Sequence, residues 1–326
     1  MSLVDQLQRG PVREWFEANF PNTRTIGGHA NAVLRGGPPH LPCAVPPVPS
    51  ADRALVGHAV GYVLYAHLRE GALGGLSPAA IGAGRIAMRV GDVKPRPTDI
   101  AHAVMIRIRE LRPWERTLPD DQWRELCGLA CVLGRFEQYY RQGLATVPGM
   151  VKRLRDCGGD TGALAASVAN PATLADVMAL SRVTVEDLVH VRDAADMHIE
   201  PGFAQSVALG GADADLIYDG TLLDLKSSAL PSPVGRRELW QLARYLLADT
   251  DNRYRIERVG FAAVRRRRTV FWPAQEYLSV LAVEPEHSVA DWRVAFAALL
   301  TPLREQRTLR PSPDLSRAWG LNAEVP

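Results

Sequence analysis

The stretch Gly210-Gly-Ala-Asp213-Ala-Asp215-Leu-Ile-Tyr218-Asp-Gly220-Thr-Leu-Leu-Asp224-Leu-Lys226-Ser-Ser228 decides how this chain is read. Two runs rich in β-formers, Ala214 to Tyr218 and Thr221 to Leu225, flank Asp219-Gly220. A two-residue type I′ turn needs positive φ at both central positions, and Asp-Gly tolerates that better than most pairs. Such a turn sets the register. Tyr218 faces Thr221, Ile217 faces Leu222, Leu216 faces Leu223, and Asp215 faces Asp224. Side chains alternate along a strand, so Asp215, Asp224 and Lys226 share one face. Leu216, Leu223 and Leu225 point the other way and are expected to supply the core.

Directly opposed carboxylates destabilise a sheet unless something neutralises them. A hard cation, Mg²⁺ or Mn²⁺, held by Asp215 and Asp224 and keeping several waters, is the natural candidate. Lys226 would then orient or deprotonate a metal-bound water, or stabilise charge on a phosphate. The plain alternative is a surface hairpin in which Lys226 offsets two solvated aspartates. Asp213 is a further candidate, facing Lys226 across the hairpin and holding it.

Working outward, Val207 to Leu209, Val259 to Val264 and Thr269 to Trp272 also read as short strands. A helix over about Arg236 to Asp249 separates the third strand from the fourth, and another follows over about 288 to 305. Before residue 200 the pattern is helical. Residues 3 to 20 have helical spacing and end at Pro21, and Gly36 to Ser50 is a Pro- and Gly-rich arm. Ser50 is placed to cap a helix carrying Leu55, Ala59, Val63 and Leu64. Ser77-Pro78, Thr98 and Asn170-Pro171 open further helices, with a long amphipathic one over Asp120 to Arg141 and more helical pattern from 171 to 198. The expected organisation is α/β. It comprises an N-terminal helix and arm (1–50), a helical region (51–200), a mixed-sheet core (201–285), and a C-terminal helix and tail (286–326).

Asp215, the triplet Asp224-Leu225-Lys226, and Gln241 with Tyr245 in Glu-Leu-Trp-Gln-Leu-Ala-Arg-Tyr together resemble the PD-(D/E)xK nuclease superfamily, in particular its RecB-like exonuclease branch. The resemblance covers about residues 203 to 285, a quarter of the chain. It implies a restriction-endonuclease-like core that cleaves DNA phosphodiesters. Asp215 and Asp224 would be metal ligands, Lys226 the catalytic lysine, and Gln241 and Tyr245 site-ordering or DNA-contacting residues. It also implies company: a helicase, CRISPR adaptation machinery or a phage-defence module. No Gly-x-x-x-x-Gly-Lys-[Ser/Thr] motif occurs, so an ATP-driven motor would be a separate protein. RecB-like enzymes carry an earlier Gly-x-x-x-His on a helix. Here Gly57-His58-Ala59-Val60-Gly61 puts Gly61 where the histidine belongs, and His58 is the substitute at hand. That departure leaves a second class open, a catalytically silent member that binds nucleic acid or scaffolds a complex.

Glu137 is a candidate third acid, as catalytic residue and metal ligand. It falls within the apolar stripe of Leu126, Leu129, Ala130, Leu133 and Tyr140. A carboxylate there needs a partner. That partner is either a metal or Lys226, or a structural arginine such as Arg141. Arg265, Arg266, Arg267 and Arg268 form the densest basic cluster, at the turn between the last two strands, where they suit phosphate contacts or simply a solvated turn. Arg236, Arg237 and Arg244 on the preceding helix add to the nucleic-acid reading. Trp240, off the Gln241 face, is expected in the core.

The 326 residues are 47% hydrophobic and 23% charged with a net charge of +2, which permits a nucleic-acid partner without requiring one. No apolar run approaches the roughly 18 to 20 residues that cross a bilayer. The N-terminus lacks a signal-peptide pattern, so the cytoplasm is the expected location. The four cysteines include no Cys-x-x-Cys pair and read as reduced thiols rather than a metal site.

Overall fold

The computed structural model describes residues 10–38, 42–73, 77–90, 94–142, 147–203, 205–206, 209 and 214–308. The chain divides into two compact units. One is built from residues 1–46 and 193–310, the other chiefly from 47–192.

The first unit carries a mixed five-stranded sheet in the order β1-β2-β3-β4-β5. Its strands are β1 (Met197–Ile199), β2 (Leu216–Tyr218), β3 (Thr221–Lys226), β4 (Arg258–Ala263) and β5 (Arg268–Pro273). The hairpin has the expected register, with Tyr218 opposite Thr221, Ile217 opposite Leu222 and Leu216 opposite Leu223. Asp219 and Gly220 have φ of 42° and 69°, the left-handed pair that the turn demands. A Cβ at Gly220 would also lie 2.9 Å from the Arg255 carbonyl oxygen. β1 lies ten residues before the expected Val207 to Leu209 and pairs antiparallel with β2, while Leu209 sits in a turn. Residues 207 and 208 lie outside the described residues.

β3 and β4 are parallel, and a parallel pair needs a crossover. The helix α10 (Arg236–Ala248) supplies it. It covers the sheet face that carries Ile217, Leu222, Val259 and Phe261, and these share one core with Leu239, Leu242 and Leu246. Leu216 and Leu223 are fully buried as expected and Leu225 only partly, while the core shared with α10 forms on the opposite face, the one that carries Asp224.

Helices α1 (Pro11–Asn19) and α2 (Thr23–Arg35) belong to this unit, so the N-terminal segment is more than an arm. Phe16, Phe20, Ile26 and Leu34 enter the same core, and the Trp240 indole donates to the Phe20 carbonyl at 2.9 Å. α11 (Ala274–Leu281) and α12 (Val289–Thr308) close the unit. Arg293 ties α12 to the end of α10 through Asp249 at 3.1 Å and the Leu246 carbonyl at 3.2 Å.

The second unit is helical among its described residues. At its centre α3 (Arg53–Leu68) is buried along nearly its whole length. Around it stand α4 (Pro78–Val90), α5 (Pro97–Leu111), α6 (Asp120–Gln142), α7 (Val147–Cys157), α8 (Thr161–Val168) and α9 (Pro171–Leu188). Small residues permit close crossings: a Cβ at Gly82 of α4 would fall 1.9 Å from the Phe136 carbonyl oxygen of α6. Asn170 caps α9 as its sequence suggested, accepting from Thr173 N at 2.7 Å. α3 is capped by Asp52 and not by Ser50, whose φ of 65° places it in the preceding turn. Among the described residues no single helix is long and apolar enough to cross a membrane.

Candidate active site

β3 and α10 build the site between them. Asp224 and Lys226 are two apart on β3 and so emerge on one face. That is the face α10 covers, and it brings Gln241 and Tyr245, four apart on one helix face, to the same place. Lys226 Nζ lies 2.6 Å from Asp224 Oδ2 and 3.4 Å from Gln241 Oε1. Gln241 Nε2 in turn donates to the Tyr245 hydroxyl at 2.8 Å. The Phe261 ring from β4 underlies the ammonium at 5.7 Å. The Asp224 side chain is only 4% exposed and that of Lys226 15%, so the pair sits largely out of water, where each charge depends on the other.

Asp215 joins them differently from the simple hairpin expectation. The β2–β3 ladder ends at Leu216 and Leu223, one step short of an Asp215–Asp224 pair. Instead Asp215 Oδ2 accepts the backbone N–H of Leu225 at 2.6 Å, so a side chain takes over where the ladder stops. The carboxylate is thereby fastened to the peptide that follows Asp224.

Two neighbours register these charges. Tyr277 of α11 is fully buried with its hydroxyl donating to the Leu239 carbonyl at 2.7 Å. Burial, and then the negative charge of Asp224, push this phenol well above its ordinary value. Glu238 is the residue that the sequence reading missed. Burial alone would raise its carboxyl, but the Gly235 N–H, the Lys226 ammonium and Arg237 hold it below the usual range. It stands three before Gln241 on α10, a spacing that marks it for the same face. Its role at the helix start, where its carboxylate accepts the Gly235 N–H at 2.9 Å, disguises it in the sequence.

Tyr245 is buried and stacked on Phe203, with ring centroids 5.9 Å apart. Arg244 beside it is also fully buried, and desolvation brings its guanidinium down to about 9. A buried Arg244 is part of the interior of the unit and adds nothing to a surface for nucleic acid.

The donor set fits a hard divalent cation in type and number. Asp215 and Asp224 offer carboxylate oxygens from adjacent strand segments, and Mg²⁺ commonly takes one or two protein carboxylates while keeping several waters. Among the described residues no group of three or more His, Cys, Asp or Glu converges as a metal cage.

The remaining candidates fall elsewhere. Glu137 belongs to the helical unit, on α6, and its carboxylate is engaged by Arg141 Nε at 2.6 Å and His58 Nδ1 at 3.2 Å. Burial would raise its carboxyl, but His58 and Arg141 together hold it far below the usual range. Its charge is answered within that unit by the arginine the spacing had offered. Gly61 is buried in α3, with Tyr65 occupying the space beyond its Cα. Asp213 lies outside the described residues.

The arginine cluster divides. Arg265 and Arg266 are 2% and 7% exposed, which corrects the picture of a four-arginine tip reaching for phosphates. Val264–Arg266 form a 3₁₀ turn between β4 and β5. From it the two guanidinium groups reach inward to carbonyls of the loop that follows Lys226. Arg267 and Arg268 are exposed. So are Arg236, whose guanidinium lies 5.5 Å from the Trp240 ring centroid, and Arg237, paired with Glu238 at 2.8 Å. The four cysteines are free thiols. Burial pushes Cys131 up to about 12 and Cys127 well above the ordinary range, which keeps both unreactive.

Comparison of the chain with protein-family models, with curated proteins and with solved structures finds no match.

Proposed function

We propose that the sheet unit is a restriction-endonuclease-like core of the PD-(D/E)xK kind and that it hydrolyses DNA phosphodiesters. One observation carries this reading. Asp215, Asp224, Lys226, Gln241 and Tyr245, five residues from three separate segments of sequence, are linked by contacts of 2.6 to 3.4 Å, Asp215 through the Leu225 N–H and the others side chain to side chain. The mixed strand order with a helical crossover between β3 and β4 supports the same fold.

In this mechanism Asp215 and Asp224 are the residues that would hold Mg²⁺ or Mn²⁺, and such an ion would supply a more acidic water and a counter-charge for phosphate. Leu225 N–H keeps the Asp215 carboxylate from rotating away. Lys226 presents its ammonium to the phosphate and stabilises the charge that develops there. Gln241 restrains that ammonium from the helix side, and Tyr245 restrains Gln241. The low exposure of Asp224 and Lys226 strengthens each of these electrostatic contributions relative to bulk water.

A second reading has one specific observation behind it. Gly61 occupies the motif-histidine position and supplies no side chain, as expected of a chain that binds nucleic acid without cutting it. Incubation with linear and circular DNA, single- and double-stranded, in Mg²⁺ or Mn²⁺ and then in EDTA separates the two. Metal-dependent cleavage that disappears in Asp224→Asn and Lys226→Met, by at least about a hundredfold each, is expected. Tight binding insensitive to EDTA with no cleavage in either metal would end the enzyme reading and leave the binding one.

A further inference from the structure

Tyr245 ends the series of contacts that runs from Lys226 through Gln241, and its own ring is held by residues outside the Gln-x-x-x-Tyr pattern. Phe203 stacks on it with centroids 5.9 Å apart and planes 16° from parallel. Tyr254 meets Phe203 edge-on at 5.5 Å. All three rings are buried. Tyr254 is in turn fixed from several sides. Its hydroxyl donates to the Gly202 carbonyl at 2.6 Å, and its backbone N–H donates to Asp249 Oδ1 at 3.3 Å. Asp249 caps α10, one turn beyond Tyr245. The His198 ring of β1 meets Tyr254 edge-on at 4.8 Å. Burial pushes the Tyr254 phenol above its ordinary value, so the hydroxyl stays protonated and donates.

The backbone is bent to deliver Phe203. Glu200 N–H donates to the Asp215 carbonyl at 3.1 Å, which extends the β1–β2 pairing to a residue of the site. At Glu200 φ is 49°, the left-handed region that a side chain other than glycine seldom adopts. Such a conformation persists only where the surroundings over-determine it. Here Tyr254 binds the Gly202 carbonyl, and Phe203 N–H donates to Ser206 Oγ at 2.8 Å. Filling a core calls for apolar volume alone. This segment adds backbone strain and directed hydrogen bonds, and together they fix the attitude of one ring.

We propose that Phe203 and Tyr254 are positioning residues for the nuclease centre, setting the plane of the Tyr245 ring and thereby the place where its hydroxyl holds Gln241 and, through Gln241, the Lys226 ammonium. The inference rests on the nuclease reading of the site. The hydroxyl stands at the far end of its side chain, so a small tilt of the ring moves it most. It accepts from Gln241 Nε2 at 2.8 Å, and Gln241 Oε1 lies 3.4 Å from Lys226 Nζ, so the displacement passes to the ammonium. Asp224 attracts that ammonium, but one contact leaves it free to swing about the carboxylate, and the second contact sets its direction. A misplacement of 1 Å costs on the order of a hundredfold in rate. Because DNA binding elsewhere is untouched, the effect falls on kcat and not on KM.

The test uses the full chain in Mg²⁺ or Mn²⁺ with whichever DNA, linear or circular, single- or double-stranded, the wild type cleaves fastest. Phe203→Leu removes the stacked ring and should lower kcat about tenfold at unchanged KM, while Phe203→Tyr keeps the ring and should retain the wild-type kcat. Tyr245→Phe keeps the ring on Phe203 and loses only the hydroxyl. In that background Phe203→Leu should lower kcat no further, because the group it positions is gone, while its cost in urea unfolding should be the same in both backgrounds. Tyr254→Phe keeps every ring and loses only the bond to Gly202. Its expected loss of about threefold should likewise vanish in Tyr245→Phe, and it carries the test if Phe203→Leu does not fold. Full kcat in the folded variant, or a loss undiminished in the Tyr245→Phe background, overturns the positioning role and leaves the nuclease standing. A wild-type chain that cleaves no DNA in either metal overturns both.

Discussion

At Asp224 a carboxylate 4% exposed sits mid-sheet, and Lys226, 2.6 Å away, is what makes its charge tolerable. Removing one partner of a buried pair strands the other, which costs about 3 to 5 kcal/mol, whereas removing both is far milder. Lys226→Met should therefore lower the urea-unfolding free energy of the chain by about 3 kcal/mol, and Asp224→Asn with Lys226→Met should recover most of that loss. Equal stability of the single and double variants would mean that the pair is solvated. Glu238 carries two duties that substitution separates. Glu238→Ala removes the acceptor of the Gly235 N–H and should cost about 1 kcal/mol. Glu238→Gln keeps an acceptor for the Gly235 N–H, so stability should hold, and on the proposed nuclease reading DNA cleavage should fall about tenfold through loss of the charge beside Lys226. At this scale the sequence was legible where chemistry is local: Asp219-Gly220 announces its turn, and Asp224-x-Lys226 its shared face. Arg265 and Arg266 were opaque, because an arginine run looks solvated until the carbonyls it serves, some 36 to 38 residues away in the chain, are in place.

Among the elements, α10 has the largest consequence for the site, since the face it covers decides which strand residues are enclosed. The alternation of β3 shows that Asp224 and Leu223 oppose one another, but both faces are apolar elsewhere along the hairpin, and Ile217 and Leu222 were as eligible for the core as Leu216 and Leu223. Only the crossover resolves that choice. β1 escaped notice because three residues, Met197 to Ile199, are too few to show alternation. In the helical unit the α4–α6 crossing is the element contact most sensitive to volume. Gly82→Ala must displace the Phe136 peptide, and a loss of about 2 to 3 kcal/mol is expected in thermal or urea unfolding. An unchanged midpoint would show that the two helices can part without cost.

For the molecule as a whole, two interiors respond to different solution conditions. The helical unit depends on Glu137. Its carboxyl is held below its ordinary value of 4.5, so the stabilisation by His58 and Arg141 is complete above that pH and is lost as acid protonates the group. Acid titration of stability should show a decline beginning near pH 4.5 in wild type that is blunted in Glu137→Gln. The sheet unit should respond to metal: Mn²⁺ at a hundred times its Kd adds about 2.7 kcal/mol to a protein that binds it only when folded. The melting temperature should rise with Mn²⁺, fall back with EDTA, and not move in Asp224→Asn. The division into two units was only partly readable, because helical spacing identifies α1 as a helix without saying that it packs beside strands encoded far downstream.

That arrangement has a consequence for biosynthesis. α1 and α2 leave the ribosome well before β5 and α10, against which α2 packs and which are translated some 200 residues later, an interval of roughly 10 to 40 s at ordinary elongation rates. Throughout it Phe16, Phe20, Ile26 and Leu34 have none of their eventual neighbours from the sheet, while the helical segment between them can already collapse on itself. This helical pair thus presents unburied apolar surface while it waits, and the yield of the folded protein in a cell should depend on how well chaperones shelter it until β5 emerges.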